Sequence, residues 1–256
     1  MRNYVIVTEY DGTGYRGWQV QNNGGAKTVA GERTVQGVIE SALFRLFGKK
    51  TKVISSSRTD AGVHARAHVS NFRVSSRLDG PSVKRALNGM LPDDVLVKSV
   101  READEDFHSQ FTAKSKLYRY IVYNGKDLNV FDRNRVYHFK QPLNEKLMAS
   151  EASCLIGRHD FTSFRSSHGR TGRPRNPVRT IKVLRVKRRG ARVIIDIEAD
   201  GFLYCMARNI VGTLIEAGRG RLAAGEVKRI LRSRDRRKAG PAVPGKGLCL
   251  IRVKYD

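Results

Sequence analysis

Residues Arg2 to Tyr10 are rich in β-branched and aromatic side chains and stop at Asp11-Gly12, the pattern of a strand closing in a turn. Thr34 then stands as an N-cap before VQGVIESALFRLF, in which Val35, Val38, Ile39, Ala42, Leu43 and Leu46 recur at helical spacing until Gly48 ends the run. Further on, the pattern predicts a strand at Lys52 to Ser57, a loop, and a strand at Ala65 to Val74. A helix from about Pro81 carries Val83, Ala86, Leu87 and Met90, and Val95 to Val100 reads as a strand. The first half therefore runs βαββαβ, a ferredoxin-like order.

The second half repeats it. Lys116 to Tyr123 reads as a strand, Glu145 to Ile156 as a helix capped by Asn144, and Val178 to Lys187 as a strand. Arg189-Gly190 turns the chain into Ala191 to Glu198. An apolar helix at Phe202 to Ala217, a short helix around Gly225 to Leu231 and a last strand at Leu248 to Val253 complete the order. The predicted fold class is α/β in the α+β sense: two similar ferredoxin-like or RRM-like domains with antiparallel sheets, residues 1–105 and 106–256, joined near Asp104 to Phe107.

Charge narrows the partner class. The 256 residues carry 49 Lys and Arg against 24 Asp and Glu, a net charge of +25. A surplus that large suits a polyanion, because neutralising phosphates releases condensed counterions. The cations are unevenly placed: Gly157 to Arg192 holds 12 of them and one acidic residue, Asp160, and Arg219 to Lys238 holds 9 against Glu226 and Asp235. The second half is thus expected to carry much of the surface that binds a nucleic-acid backbone. No run of apolar residues approaches membrane-spanning length and no signal peptide is visible, so the chain is expected to be soluble and cytoplasmic. Cys154, Cys205 and Cys249 lie far apart with no CxxC pair, which argues against a disulfide framework and a cysteine-rich zinc site; they are expected to be buried thiols.

Several chemistries lack their residues. Gly12-Thr13-Gly14-Tyr15-Arg16-Gly17 fits GxGxxG, but little helical pattern follows Gly17, as a dinucleotide site would require. This stretch is better read as a polar loop whose Arg16, Trp18 and Gln19 contact RNA, or as a turn with Trp18 as packing. Of the six histidines (His64, His68, His108, His138, His159 and His168), His64 and His68 have i, i+4 spacing but lie on a predicted strand with no carboxylate placed to help, so no metal site is expected. No nucleophile elbow and no P-loop is present.

Ser55-Ser56-Ser57-Arg58-Thr59-Asp60-Ala61-Gly62-Val63-His64-Ala65 falls on the loop between two predicted strands. Arg58 two residues before Asp60 would set a carboxylate beside a permanent cation. Arg58 to Ala65 resembles the signature loop of the TruA family of pseudouridine synthases, and the rest of the chain agrees in order. Tyr10-Asp11-Gly12-Thr13 with Gly17-Trp18-Gln19, Thr34-Val35-Gln36, Phe107-His108 to Phe111, and Tyr118-Arg119-Tyr120 resemble further family motifs. So do His159 to Phe164, Val178-Arg179-Thr180-Ile181, Phe202-Leu203-Tyr204 with Met206 and Arg208-Asn209, and Gly247-Leu248. Departures are Ser57 for a usual Gly, Ser109-Gln110 for Ala-Arg, His68 for Gln, Cys205 for His, and a longer stretch from Asn22 to Arg33.

The resemblance implies a cofactor-free isomerase with an active-site cleft between the halves, converting uridine to pseudouridine in the anticodon stem-loop of tRNA at positions 38 to 40. It implies a homodimer, with Asp60 as the catalytic carboxylate and Arg58 and Tyr118 beside it. Tyr118, Arg208 and Leu248 would bind substrate, joined by Arg16 and Gln19. Arg58 or Arg208 would keep Asp60 ionised, and Arg58 would fill the space left by a flipped nucleotide. The alternative is a non-catalytic RNA-binding protein with two RRM-like halves. Against it, no RNP1 octamer is found.

Overall fold

The computed structural model of the chain describes residues 1–20, 33–166 and 176–255. The longer stretch from Asn22 on, His168 and the first cations after Arg170 fall outside them, save for Arg33. Two compact units emerge, Met1–Lys114 with Leu250–Asp256, and Ser115–Cys249.

The first unit holds β1 (Arg2–Tyr10), α1 (Val35–Phe47), β2 (Ile54–Ser55), β3 (His64–Val74), α2 (Gly80–Asn88) and β4 (Val95–Ala103). β1 lies between β3 and β4, antiparallel to both, with Ile6 opposite Ser70 and Val100. This is the βαββαβ order read from the sequence. Tyr4, Ile6 and Phe72 from the sheet meet Ile39 and Leu43 of α1 and Val83 and Leu87 of α2 in a fully buried core. The ends of α1 follow the local code: Thr34 Oγ1 accepts the Gly37 N–H at 3.2 Å, and Gly48 closes the helix in the left-handed region at φ +69°. A second strand was expected over Lys52 to Ser57, but only Ile54 and Ser55 pair with β3, opposite Asn71 and Ser70.

In the second unit β5 (Ser115–Tyr123) is followed by β6 (Tyr137–His138), α3 (Glu145–Ser153), β7 (Gly157–Asp160), β8 (Val178–Arg189), β9 (Arg192–Ala199), α4 (Met206–Gly218) and α5 (Glu226–Ser233). Its strands run β5-β9-β8-β7, antiparallel throughout, with β6 parallel to the end of β5. Met148 and Ala152 of α3 and Ile210, Val211 and Leu214 of α4 bury against Tyr120, Ile195 and Ile197. The last strand, β10 (Leu248–Lys254), is divided: it begins in the second unit and from Leu250 belongs to the first. There Lys114 N–H donates to Lys254 O at 2.8 Å and Tyr255 Oη to Ser109 O at 2.7 Å.

α4 starts four residues later than its apolar pattern suggests. Cys205 takes φ +56°, ψ +9°, a left-handed conformation that breaks any helix begun at Phe202. The three cysteines are half-buried and unpaired with one another rather than buried. No helix among the described residues is long and apolar enough to cross a membrane.

Candidate active site

The loop between β2 and β3 is held from below by the chain segment that follows β1. Trp18 N–H donates to Thr59 O at 3.0 Å, and Gly62 N–H to Tyr15 O at 3.3 Å. The buried hydroxyls of Tyr10 and Thr59 lie 2.8 Å apart. Two glycines make this approach possible. A Cβ on Gly12 would overlap Val63 O, and one on Gly17 would come within 2.5 Å of Thr59 O and 3.1 Å of Asp60 C; Gly17 also sits at φ +96°. The GxGxxG-like stretch is therefore not a phosphate loop. A short 3-10 turn at Gly12–Gly14 follows β1, the next long helix among the described residues begins at Val35, and the glycines let two backbones touch beneath Asp60.

The same support explains Trp18, whose ring is buried against His68, with centroids 3.7 Å apart and planes at 85°. Trp18 is thus a packing residue, 1% exposed, as the second of its two readings had it. His68 Nε2 lies 2.9 Å from Ser57 O, so the residue that departs from the family's usual Gln still reaches the loop backbone. His64 Nδ1 lies 3.1 Å from Gly12 N and 3.2 Å from Asp11 Oδ1; unprotonated it accepts from Gly12, and protonated it donates to Asp11. Tyr15 Oη donates to Asp94 Oδ1 and accepts from Arg33 at 3.0 Å. Burial, reinforced by Asp94, pushes the Tyr15 phenol well above its ordinary range.

On this platform Thr59 points inward while Arg58 is exposed and Asp60 half-buried. Arg16 and Gln19 are exposed on the neighbouring segment, so four of the expected residues gather on one loop cluster. One detail differs. Arg58 makes no hydrogen bond or ion pair with another described residue, so it does not pair with Asp60 as the short spacing suggested. Its long side chain is exposed, where an ion pair gains little over hydration.

The other expected residues belong to the second unit. Tyr118, on β5 opposite Ile197, is buried and meets the Phe202 ring edge-on at 5.0 Å. Arg208, in the first turn of α4, donates from Nε to Val243 O at 2.7 Å and fastens the segment before β10. That segment packs tightly: Tyr120 Oη donates to Pro244 O at 2.8 Å, and a Cβ on Gly247 would strike the Tyr120 ring. Leu248 follows, 5% exposed. Asn209 is wholly buried and fully used, donating to Phe164 O at 2.8 Å and Ser166 Oγ at 3.1 Å and accepting from Arg236 at 2.9 Å.

Lys116 was not singled out by its sequence. It lies two residues before Tyr118 on the same face of β5, and burial, aided by the charge of Arg179, lowers its ammonium pKa despite Asp200. The only sequence signal was a lysine in a run of strand-forming residues, which is ordinary at a sheet edge. Among the described residues no group of His, Cys, Asp and Glu could hold a metal ion.

A family model described as tRNA pseudouridine synthase matches residues 6–112 and 152–256. The chain belongs to the tRNA pseudouridine synthase family. Proteins named tRNA pseudouridine synthase A are similar to it over their full length in Acetivibrio thermocellus, at 44% identity, and in Clostridium kluyveri, at 42%, with 100% of both chains covered. A third, from Moorella thermoacetica, is 43% identical over 98% of each chain. The matched stretches of this synthase family include Arg16, Gln19, Arg58, Asp60, Arg208 and Leu248; Tyr118 lies between them.

Proposed function

We propose that the chain isomerises uridine to pseudouridine in the anticodon stem-loop of tRNA, at positions 38 to 40, with Asp60 as the catalytic carboxylate. The observation that carries this reading is the braced loop. A half-buried carboxylate stands on a backbone fixed by Trp18, Tyr15 and Gly17, so its position is set before substrate arrives. In the reaction the bond from ribose C1′ to uracil N1 breaks, the base turns, and C1′ bonds to C5. N1 ends with a proton and C5 gives one up, so nothing is added or lost overall and no redox partner is needed. A carboxylate beside the glycosidic bond serves as nucleophile or base.

Arg58, exposed and uncommitted to any other described residue, fits a group that enters the space left by the flipped nucleotide. Tyr118 presents an aromatic ring to the target base, and Leu248 an apolar side chain. Arg208 supports that surface through Val243. Arg16 and Gln19 extend the RNA contact beside Asp60. The family resemblance further supports a homodimer that works in the cytoplasm, with one RNA crossing both chains.

Asp60→Asn tests the assignment. Asn keeps the size and loses the charge and nucleophilicity, so the variant should melt like wild type, bind tRNA within a few fold, and release no tritium from tRNA labelled at uridine C5. Substantial turnover by the folded variant would overturn it.

A further inference from the structure

Between β5 and α3 the chain makes an excursion, residues 124–140, that lies in the stretch the family model leaves unmatched. At its tip Val130 and Phe131 are 62% and 89% exposed. Two adjacent large apolar side chains so exposed make a small contiguous patch, the kind of surface that marks an interaction site when polar residues rim it. Here its backbone is held firmly. Asn129 Oδ1 accepts the Phe131 N–H at 2.8 Å, Tyr123 Oη donates to Asp127 O at 2.8 Å, and Asn124 Nδ2 donates to Phe139 O at 2.7 Å.

The excursion is joined to the turn between β8 and β9. Asn124 N–H donates to Ala191 O at 2.7 Å, and Arg192 pairs with Asp132 at 2.6 Å. The ion pair neutralises an acid next to Phe131. On the same excursion and turn, the side chains of Lys126, Lys140 and Arg189 are exposed and make no hydrogen bond or ion pair with another described residue. Lys126, Lys140 and Arg188, with one acid, Asp127, line a concavity of about 550 Å³. An excursion that carries an exposed aromatic ring and uncommitted cations is complementary to a nucleic acid, offering a stacking face and phosphate contacts together. A second copy of this chain fits less well, because a symmetric contact at the tip would set these cations against themselves.

The surface is remote from the expected target site. Tyr118 pairs with Ile197 and Tyr123 with Arg192, so the excursion leaves β5 five residues beyond Tyr118, roughly 17 Å along the strand. We propose that residues 124–140 and the turn at Gly190 form a second RNA-binding surface, at which Phe131 stacks on an unpaired or end base and Lys126, Lys140 and Arg189 hold phosphates, far from the uridine being modified. The surface rests on the tRNA reading above and serves to grip the remainder of the tRNA.

Two variants, Phe131→Ala and the triple Lys126→Ala, Lys140→Ala, Arg189→Ala, are compared with wild type on intact tRNA and on an isolated anticodon stem-loop. Binding isotherms over a range of salt run beside tritium release. Phe131→Ala should weaken binding of intact tRNA by at least about fivefold. The triple variant should lower the log-log salt slope by about 2 to 3 units. Both should keep wild-type kcat on intact tRNA and wild-type affinity for the stem-loop. Equal losses on the two RNAs, or no loss on either, overturn the proposal. Binding is read independently of turnover, so a wild-type protein that binds tRNA but releases no tritium would overturn the isomerase reading and leave this one standing.

Discussion

Gly17→Ala separates the support of Asp60 from the stability of the unit that carries it. The new methyl would sit 2.5 Å from Thr59 O and 3.1 Å from Asp60 C, at a backbone with φ +96°. Left-handed backbone costs an alanine about 1–2 kcal/mol and relieving an overlap of this kind about 1–3 more, so the loss should be about 2–5 kcal/mol. Both Thr59 and Asp60 belong to the backbone that must yield, and a shift of the carboxylate by about 1 Å is enough to cost on the order of a hundredfold in rate. Gly48→Ala supplies the control. Gly48 also has positive φ, +69°, but a Cβ there meets open space at the end of α1, so only the backbone term remains, about 1–2 kcal/mol. The assay is single-turnover tritium release below both melting transitions, with each variant's folded fraction measured by circular dichroism. Gly17→Ala should lose kcat on the order of a hundredfold while folded, and Gly48→Ala should keep it. Equal rates for the two folded variants would refute the bracing of Asp60 by Gly17.

Lys116→Met should raise the melting temperature at pH 7, because the fold disfavours the lysine's charge. Its folded pKa lies below the unfolded value, so the penalty is full below the folded pKa and fades as pH rises toward the unfolded pKa of about 10.4. The gain should therefore be smaller at pH 10, and a gain that grows with pH would contradict the cause given. Cys205→Gly should stabilise the second unit by about 0.5–1 kcal/mol, since glycine takes φ +56° without strain but loses more entropy on folding. A lower midpoint in urea would show that the Cys205 side chain contributes more than its backbone costs.

Much of the fold was legible because it is written locally. The caps at Thr34 and Gly48, the period of α1, and the turn at Arg189-Gly190 each need only a few neighbouring residues. The parts that escaped depend on distant chain. β2 was drawn too long because the residues around Ile54 look like strand, whereas only Ile54 and Ser55 form a ladder with β3, which also pairs with β1 and β10. β6 and β7 are too short to show a period of two and exist through their partners. The start of α4 was misread because apolar residues at Phe202, Leu203 and Tyr204 mimic a helix that Cys205 forbids. In the candidate site, Arg58 and Asp60 were visible as a motif, but that Arg58 does not pair with Asp60 was not, since spacing fixes neighbourhood and not side-chain direction. Lys116 was invisible because its distinction is burial, which a single residue type does not reveal.

The divided β10 also imposes an order of assembly during synthesis. Asp60 and most of its unit precede Ser115–Cys249 in the chain, yet Leu250, wholly buried, and the residues after it belong to that unit and leave the ribosome only after all of Ser115–Cys249. At roughly 5–20 residues per second the early part waits on the order of ten seconds for its closing strand. In that interval the edge of β3 that β10 later covers is open to pairing by other nascent chains or by chaperones. The loop that carries Asp60 is thus made well before the strand that completes its unit, so a ribosome that stops short of Leu250 releases a chain whose Asp60 unit is incomplete.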